Sequence, residues 1–149
     1  MKVVLQRSKL SKVTIDNHIN GIIDHGYVAL VSFTNGDNIE IIDKMIKKIV
    51  NLRVFTDDND KMNLSILDTK GSVLSISQFT LYADTTKGNR PSFINALNPT
   101  EASKLYDIFN EKLSEFVHVE TGVFGADMKV EIYNDGPVTI ILDSRELFK

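Results

Sequence analysis

Two hydroxyls, a carboxamide and an aromatic ring fall together in Ser77-Gln78-Phe79-Thr80, a run with the right groups for ester chemistry. A hydroxyl that attacks an ester needs a base to take its proton. The chain has three histidines, His18, His25 and His118, and none adjoins a recognisable motif. His25 sits in a turn signal, and no G-x-S-x-G elbow surrounds Ser77. The three are therefore read as structural or surface residues. No H-E-x-x-H, paired-carboxylate, P-loop or dinucleotide pattern is present. Asp57, Asp58 and Asp60 lack the glycine and distal glutamate of a calcium loop and read as solvated acids. No metal or cofactor is expected. The backbone amides of Ser77-Gln78-Phe79-Thr80 could supply an oxyanion site, with the hydroxyls and the amide orienting a ligand. Taken alone, the run is more simply a strand leaving the core through a polar turn.

The second conspicuous stretch is Asn134-Asp135-Gly136-Pro137-Val138-Thr139. Met128, Val130 and Ile132 alternate with polar residues before it, and Val138 to Leu142 is β-branched and apolar after it. A hairpin is the first reading. Proline removes a donor where the ladder should restart, and X-Pro is the one bond where cis is cheap. Gly136-Pro137 could instead project two adjacent carbonyls in a fixed direction. Both readings stand on these residues alone.

Length and composition set the frame. A chain of 149 residues is expected to form one domain, 1–149, with a real core. The net charge of −3 gives no global field for nucleic acid, so any RNA contact must be local. The absence of cysteine excludes disulfides, thiol catalysis and thiolate-bound metals, and fits a reducing cytosol. No apolar run approaches a membrane span or a signal-peptide core, so a cytoplasmic location is expected.

The elements that must hold these stretches can be read in order. Lys2–Arg7 is a strand, Val13 and Ile15 mark a second, and Ile22-Ile23 lies between the turn signals Asn20-Gly21 and His25-Gly26. Tyr27–Phe33 lacks alternation and reads as a central strand covered on both faces. Asp37 with Glu40 predicts a helix start, followed by the stripe Ile42, Met45, Ile46 and Ile49. Lys44, Lys47 and Lys48 lie opposite, a face that could touch phosphate but is more simply solvated. Arg53-Val54-Phe55 is a short extended piece before a polar loop, and Val73–Ile76 is a strand running straight into Ser77–Tyr82. Asn98, Pro99 and Glu101 predict a second helix start, with Leu105, Ile108, Phe109, Leu113 and Phe116 buried. Val117–Glu120 is strand-like. The total predicts an α/β fold of curved or double-layered mixed sheet, barrel-like, with two main helices.

Several strings together resemble the D-aminoacyl-tRNA deacylase family, and they span nearly the whole chain. They are Val4–Arg7, Lys61-Met62-Asn63, Ser77–Ala83, Lys87–Phe93, Thr121–Met128 and Asn134–Thr139. The resemblance implies that family's fold and the hydrolysis of the ester between a D-amino acid and the terminal adenosine of tRNA. Glycine on non-cognate tRNA is implied as a further substrate. It also implies a homodimer with its active sites at the interface. Gly136-Pro137, with a cis peptide, would enter the partner's pocket and reject L side chains, with Arg7 buttressing the loop. By the same resemblance Ser77, Gln78, Phe79 and Thr80 surround the scissile ester, while Phe124, Gly125 and Met128 hold the adenine. Ser32–Asn35 and Ser8–Ser11 depart from the family's pattern and are expected to lie apart from its motifs.

Two mechanisms are open on this basis: attack by Thr80, or water assisted by the terminal 2′-hydroxyl, which the lack of a nearby base favours. Two other classes compete. One is a catalytically silent module that binds tRNA ends or other nucleic acid, and the other is a general small-ester hydrolase using Ser77.

Overall fold

The computed structural model describes all residues, Met1–Lys149. In chain order the elements are β1 (Lys2–Ser8), β2 (Ser11–Ile15), β3 (His18–Ile23), β4 (Gly26–Ser32) and α1 (Ile39–Asn51). A short hairpin of β5 (Phe55–Thr56) and β6 (Met62–Leu64) follows, then α2 (Ile66–Thr69) and β7 (Ser72–Ser77). A 3-10 turn covers Phe79–Tyr82. The chain ends with α3 (Pro99–Ser114), β8 (His118–Thr121), β9 (Lys129–Glu131), β10 (Asn134–Asp143) and α4 (Ser144–Leu147).

A five-stranded mixed sheet in the order β10-β1-β4-β7-β8 forms the centre. β4 pairs in parallel with β7, and β7 with β8, while β1 is antiparallel to both neighbours. The unbroken apolarity of β4 now has its cause. Tyr27, Ala29 and Val31 point into a large core with α1 and α3, whereas Val28 joins Val13, Ile23, Leu74 and Ile76 in a second core. The second core is roofed by the three-stranded sheet β3-β2-β9. Each face of β4 is thus covered by a different layer.

The two main helices form where the apolar stripes require. Ile42, Met45, Ile46 and Ile49 are buried in α1, and α3 starts at the Asn98 cap, whose side chain accepts from Glu101 N. Two details differ. Asp37 does not cap α1, because its carboxylate accepts from the Met1 ammonium at 2.6 Å and from Thr34 N at 2.7 Å. Asn38 takes the capping role, accepting from Ile41 N at 3.0 Å. Phe116 lies beyond the end of α3 and is 48% exposed, so the buried stripe ends at Leu113.

The expected C-terminal hairpin is absent. β9 pairs with β2 in the small sheet, and β10 pairs with β1 at the edge of the large one. The apolar side chains explain the split. Met128, Val130 and Ile132 pack on the second core, while Val138, Ile140 and Leu142 pack on the first. Tyr133 crosses between the sheets, with its N–H on Ser11 Oγ at 3.0 Å and its carbonyl accepting from Lys9 N at 3.1 Å.

Candidate active site

The strand β7 stops at Ser77, one residue short of the 3-10 turn, rather than running on to Tyr82. Gln78 N–H donates to Val31 O at 2.8 Å, which ties the turn to the end of the parallel neighbour β4. The 3-10 segment has no side-chain cap. The amides of Phe79 and Thr80 therefore lead it in the position where helix N-H groups lack an internal acceptor. Gln78 Nε2 donates to Thr80 Oγ1 at 2.5 Å. Whichever way that amide is turned, it is no base, so this partner does not take a proton from Thr80.

A cavity of about 610 Å³ opens at this end of the sheet, a volume ordinary for a small-molecule site. Ser77, Gln78 and Phe79 form one wall, Val31–Phe33 and Asn35 a second, and Leu97–Pro99 with Ala102 a third. Phe124 and Gly125 close it from the β8–β9 loop. Phe124 is held against the Tyr106 ring at 6.0 Å between centroids, and the Tyr106 hydroxyl donates to Ser75 O at 2.7 Å. Burial pushes the Tyr106 phenol upward, so it stays a neutral donor under the cavity. Phe79 and Phe93 meet edge to face at 5.0 Å on the rim. None of the sixteen lining residues is ionisable. The cavity can orient a polar ligand on an apolar floor, but it holds no general acid or base of its own.

The other sequence-singled residues fall in two places. Met128 is not in the lining; its sulfur lies where a Cβ on Gly122 would come within 2.3 Å, and it packs on the second core. Thr80 is exposed just beyond the wall. The three histidines are exposed and outside the cavity. Asn134–Thr139 is no tight turn but a bulge inside β10. Gln6 pairs with Thr139 and Ser8 with Asn134, so Asp135–Val138 stand opposite Arg7 alone. Asn134 pins the bulge, with Nδ2 on Thr139 Oγ1 at 2.9 Å and Oδ1 accepting from Val138 N at 3.2 Å. The Gly136-Pro137 peptide is cis, and Gly136 has φ +134°, a conformation L side chains rarely adopt. Arg7 clasps the bulge, donating from Nε to Asp135 O at 3.0 Å and from Nη1 to Val54 O at 2.8 Å.

The bulge and the cavity sit at opposite ends of the large sheet. Arg7 pairs with Tyr27, whereas the cavity begins at Val31, which pairs with Ser77. That separation is about 13 Å along the strands and about 14 Å across them. Residues missed by sequence reasoning are equally clear. Ser32, Phe33 and Asn35, expected to lie apart from the motifs, line the cavity. Ser8, in the other stretch expected apart, pairs with Asn134. Phe93, the last residue of the Lys87–Phe93 string, also lines the cavity, as do Ile94 and Ala96, which no string covered. In the fold Phe93 and Ile94 stand with Phe79 as an exposed apolar trio, at 38%, 79% and 55%, an exposure that sequence pattern alone does not reveal.

Known proteins share this architecture. A solved structure described as a probable eukaryotic D-amino acid tRNA deacylase superposes with TM-score 0.80 at 16% identity, covering 95% of this chain and 97% of that one. The c-Myc DNA Unwinding Element Binding Protein superposes with TM-score 0.91 at 37% identity, covering 96% and 98%. Residues 4–143 match the model of the D-Tyr-tRNA(Tyr) deacylase family, and the chain belongs to that family. It is accordingly a D-aminoacyl-tRNA deacylase, a hydrolase of carboxylic esters. No helix is long and apolar enough to cross a membrane.

Proposed function

We propose that the protein clears D-amino acids, and glycine on non-cognate tRNA, from the terminal adenosine of tRNA in the cytoplasm, acting as a homodimer with cross-subunit sites. The observation that carries this reading is the separation of the Gly-Pro bulge from the cavity within one chain. A partner is needed to bring the bulge to a cavity. The large sheet leaves a face for it. Ile141 is 71% exposed, and its register partner Val4 is only half-buried, with Thr139 and Gln6 alongside. The small sheet roofs that face only over β4 and β7. A two-fold pair of such faces presents each bulge to the other chain.

In the composite site Phe124 and Gly125 would hold the adenine, with Met128 behind them setting the loop. The Gly136 and Pro137 carbonyls would accept from the substrate's α-ammonium and occupy the space an L side chain needs. Selection is then by exclusion, and glycine passes because it has nothing to exclude. Water attacks the ester carbonyl and the Phe79 and Thr80 amides stabilise the oxyanion. The water's proton passes by way of the terminal 2′-hydroxyl to the departing 3′-oxygen, releasing free tRNA and amino acid. An ionisation-free cavity supports this route over attack by Thr80 or Ser77.

Mixed dimers test the arrangement. One protomer carries Gln78→Ala with Phe79→Ala, and the other Gly136→Ala with Pro137→Ala. With variants whose homodimers each lose most D-Tyr-tRNA cleavage, the mixed dimer regains one site in two if the bulge is donated across. No recovery would refute the cross-subunit reading. A silent nucleic-acid binder is the second reading, favoured by the name of the 37%-identical DNA-binding neighbour. Binding of aminoacyl-tRNA that protects its ester would support it.

A further inference from the structure

The bulge is tied to a basic depression that the site described above does not use. On α1, Lys44, Lys47, Lys48 and Asn51 recur at the spacing of one helix face, opposite the buried stripe. With Leu52, Arg53 and Phe148 they line a shallow hollow of about 410 Å³ that contains no carboxylate. Four cations converge there on a chain whose net charge is −3. Lys47 and Lys48 make no ion pair, and the pair of Lys44 with Glu40 is solvent-exposed and weak. Arg53 is held in place by Asn63, with Nε on its carbonyl at 2.9 Å and Nη2 on its side chain. Compensation of the helix dipole would account only for the last turn, at Lys48. Lys44 lies earlier and Arg53 beyond, so the cationic surface is longer than the dipole requires.

Position gives the patch a use. Arg53 is followed by Val54, whose carbonyl accepts from the same Arg7 that clasps Asp135. The Arg53 end of the patch therefore lies toward the Gly136-Pro137 bulge, while Phe148, just past α4, borders the patch on the side of Ser144 and Met1. We propose that Lys44, Lys47, Lys48 and Arg53 dock the phosphate backbone of the tRNA whose 3′ end occupies the partner subunit's cavity. The proposal rests on the deacylase and cross-subunit readings above. From Lys44 to Asn51 the stripe runs about 10 Å along the helix. That length matches on the order of two or three successive phosphates of one strand. The bulge would select the amino acid while the adjoining patch of the same protomer guides the RNA that carries it.

The test compares D-Tyr-tRNA with 3′-O-D-tyrosyl-adenosine, which has no phosphate to dock. The variants are Lys47→Glu with Lys48→Glu, and the milder Lys47→Gln with Lys48→Gln, each checked for native unfolding. Against tRNA, kcat/KM should fall about tenfold further than against the minimal ester, through KM, in the charge-reversed variant. The slope of log kcat/KM against log salt should become shallower by about two for the lost phosphate contacts. An equal fall on both substrates, or an unchanged KM and salt slope on tRNA, overturns the docking proposal alone. Failure of the wild type to cleave either substrate overturns the deacylase reading and the docking with it.

Discussion

Replacing Arg7 with alanine removes the clasp on the Gly-Pro bulge and should be visible in both stability and selectivity. The guanidinium is only 11% exposed and donates to Asp135 O, Val54 O and Thr56 Oγ1 at 3.0, 2.8 and 3.3 Å. Hydrogen bonds from a charged donor contribute roughly 1.5–3 kcal/mol each. The contact to Thr56 is long, and the 3.5 Å pairing with the Asp135 carboxylate involves a partner 38% exposed, so both add little. Water can also reach the carbonyls that are freed. The net loss is about 2–4 kcal/mol, which leaves a typical domain folded. At this chain length it corresponds to a Tm lower by about 6–12 °C. Arg7→Lys should recover at most half, because one ammonium cannot span two carbonyls that a planar fork reaches together. Urea unfolding of the three proteins, with hydrolysis of D- and L-Tyr-tRNA alongside, is the assay. The expected result is lower stability together with slower cleavage of the D ester and a narrower D/L ratio. An Arg7→Ala protein with the wild-type midpoint and the wild-type ratio would refute the clasp.

Other predictions concern the bulge and the chemistry. Gly136→Ala places a Cβ 2.8 Å from Val138 N at φ +134°, a cost of about 1–3 kcal/mol. Thermal unfolding should register it, and D/L discrimination should fall because the carbonyls are redirected. Simultaneous replacement of His18, His25 and His118 by alanine should leave kcat/KM and its pH profile unchanged, since all three are exposed and outside the cavity. A tenfold loss would restore a histidine base. A tRNA ending in 2′-deoxyadenosine, with the ester on its 3′-oxygen, should be cleaved far more slowly if the ribose assists; undiminished cleavage would return the role to Thr80.

The sequence showed most where a pattern is local. The two-sided apolarity of Tyr27–Phe33 foretold a central strand, and Asn98-Pro99 with Glu101 foretold the start of α3. What it hid depends on pairing between distant residues. Met128–Ile132 and Val138–Leu142 both read as strands, but their partners are β2 and β1, which no neighbouring residue specifies. The competition of Met1 and Thr34 for Asp37 displaced the expected cap by one residue. Ser32–Asn35 joins the cavity only because β4 lies in parallel beside β7, bringing Val31 next to Ser77. The bulge likewise needs Ser8 to meet Asn134 across the edge of the sheet.

The most direct measurement is single-turnover hydrolysis of matched D-Tyr-tRNA and L-Tyr-tRNA by the wild-type protein. The account predicts rapid release of D-tyrosine with L-Tyr-tRNA left intact, because carbonyls carried on the Gly-Pro bulge leave the L side chain no space. Comparable cleavage of both esters would contradict selection by exclusion, and cleavage of neither would contradict the deacylase itself.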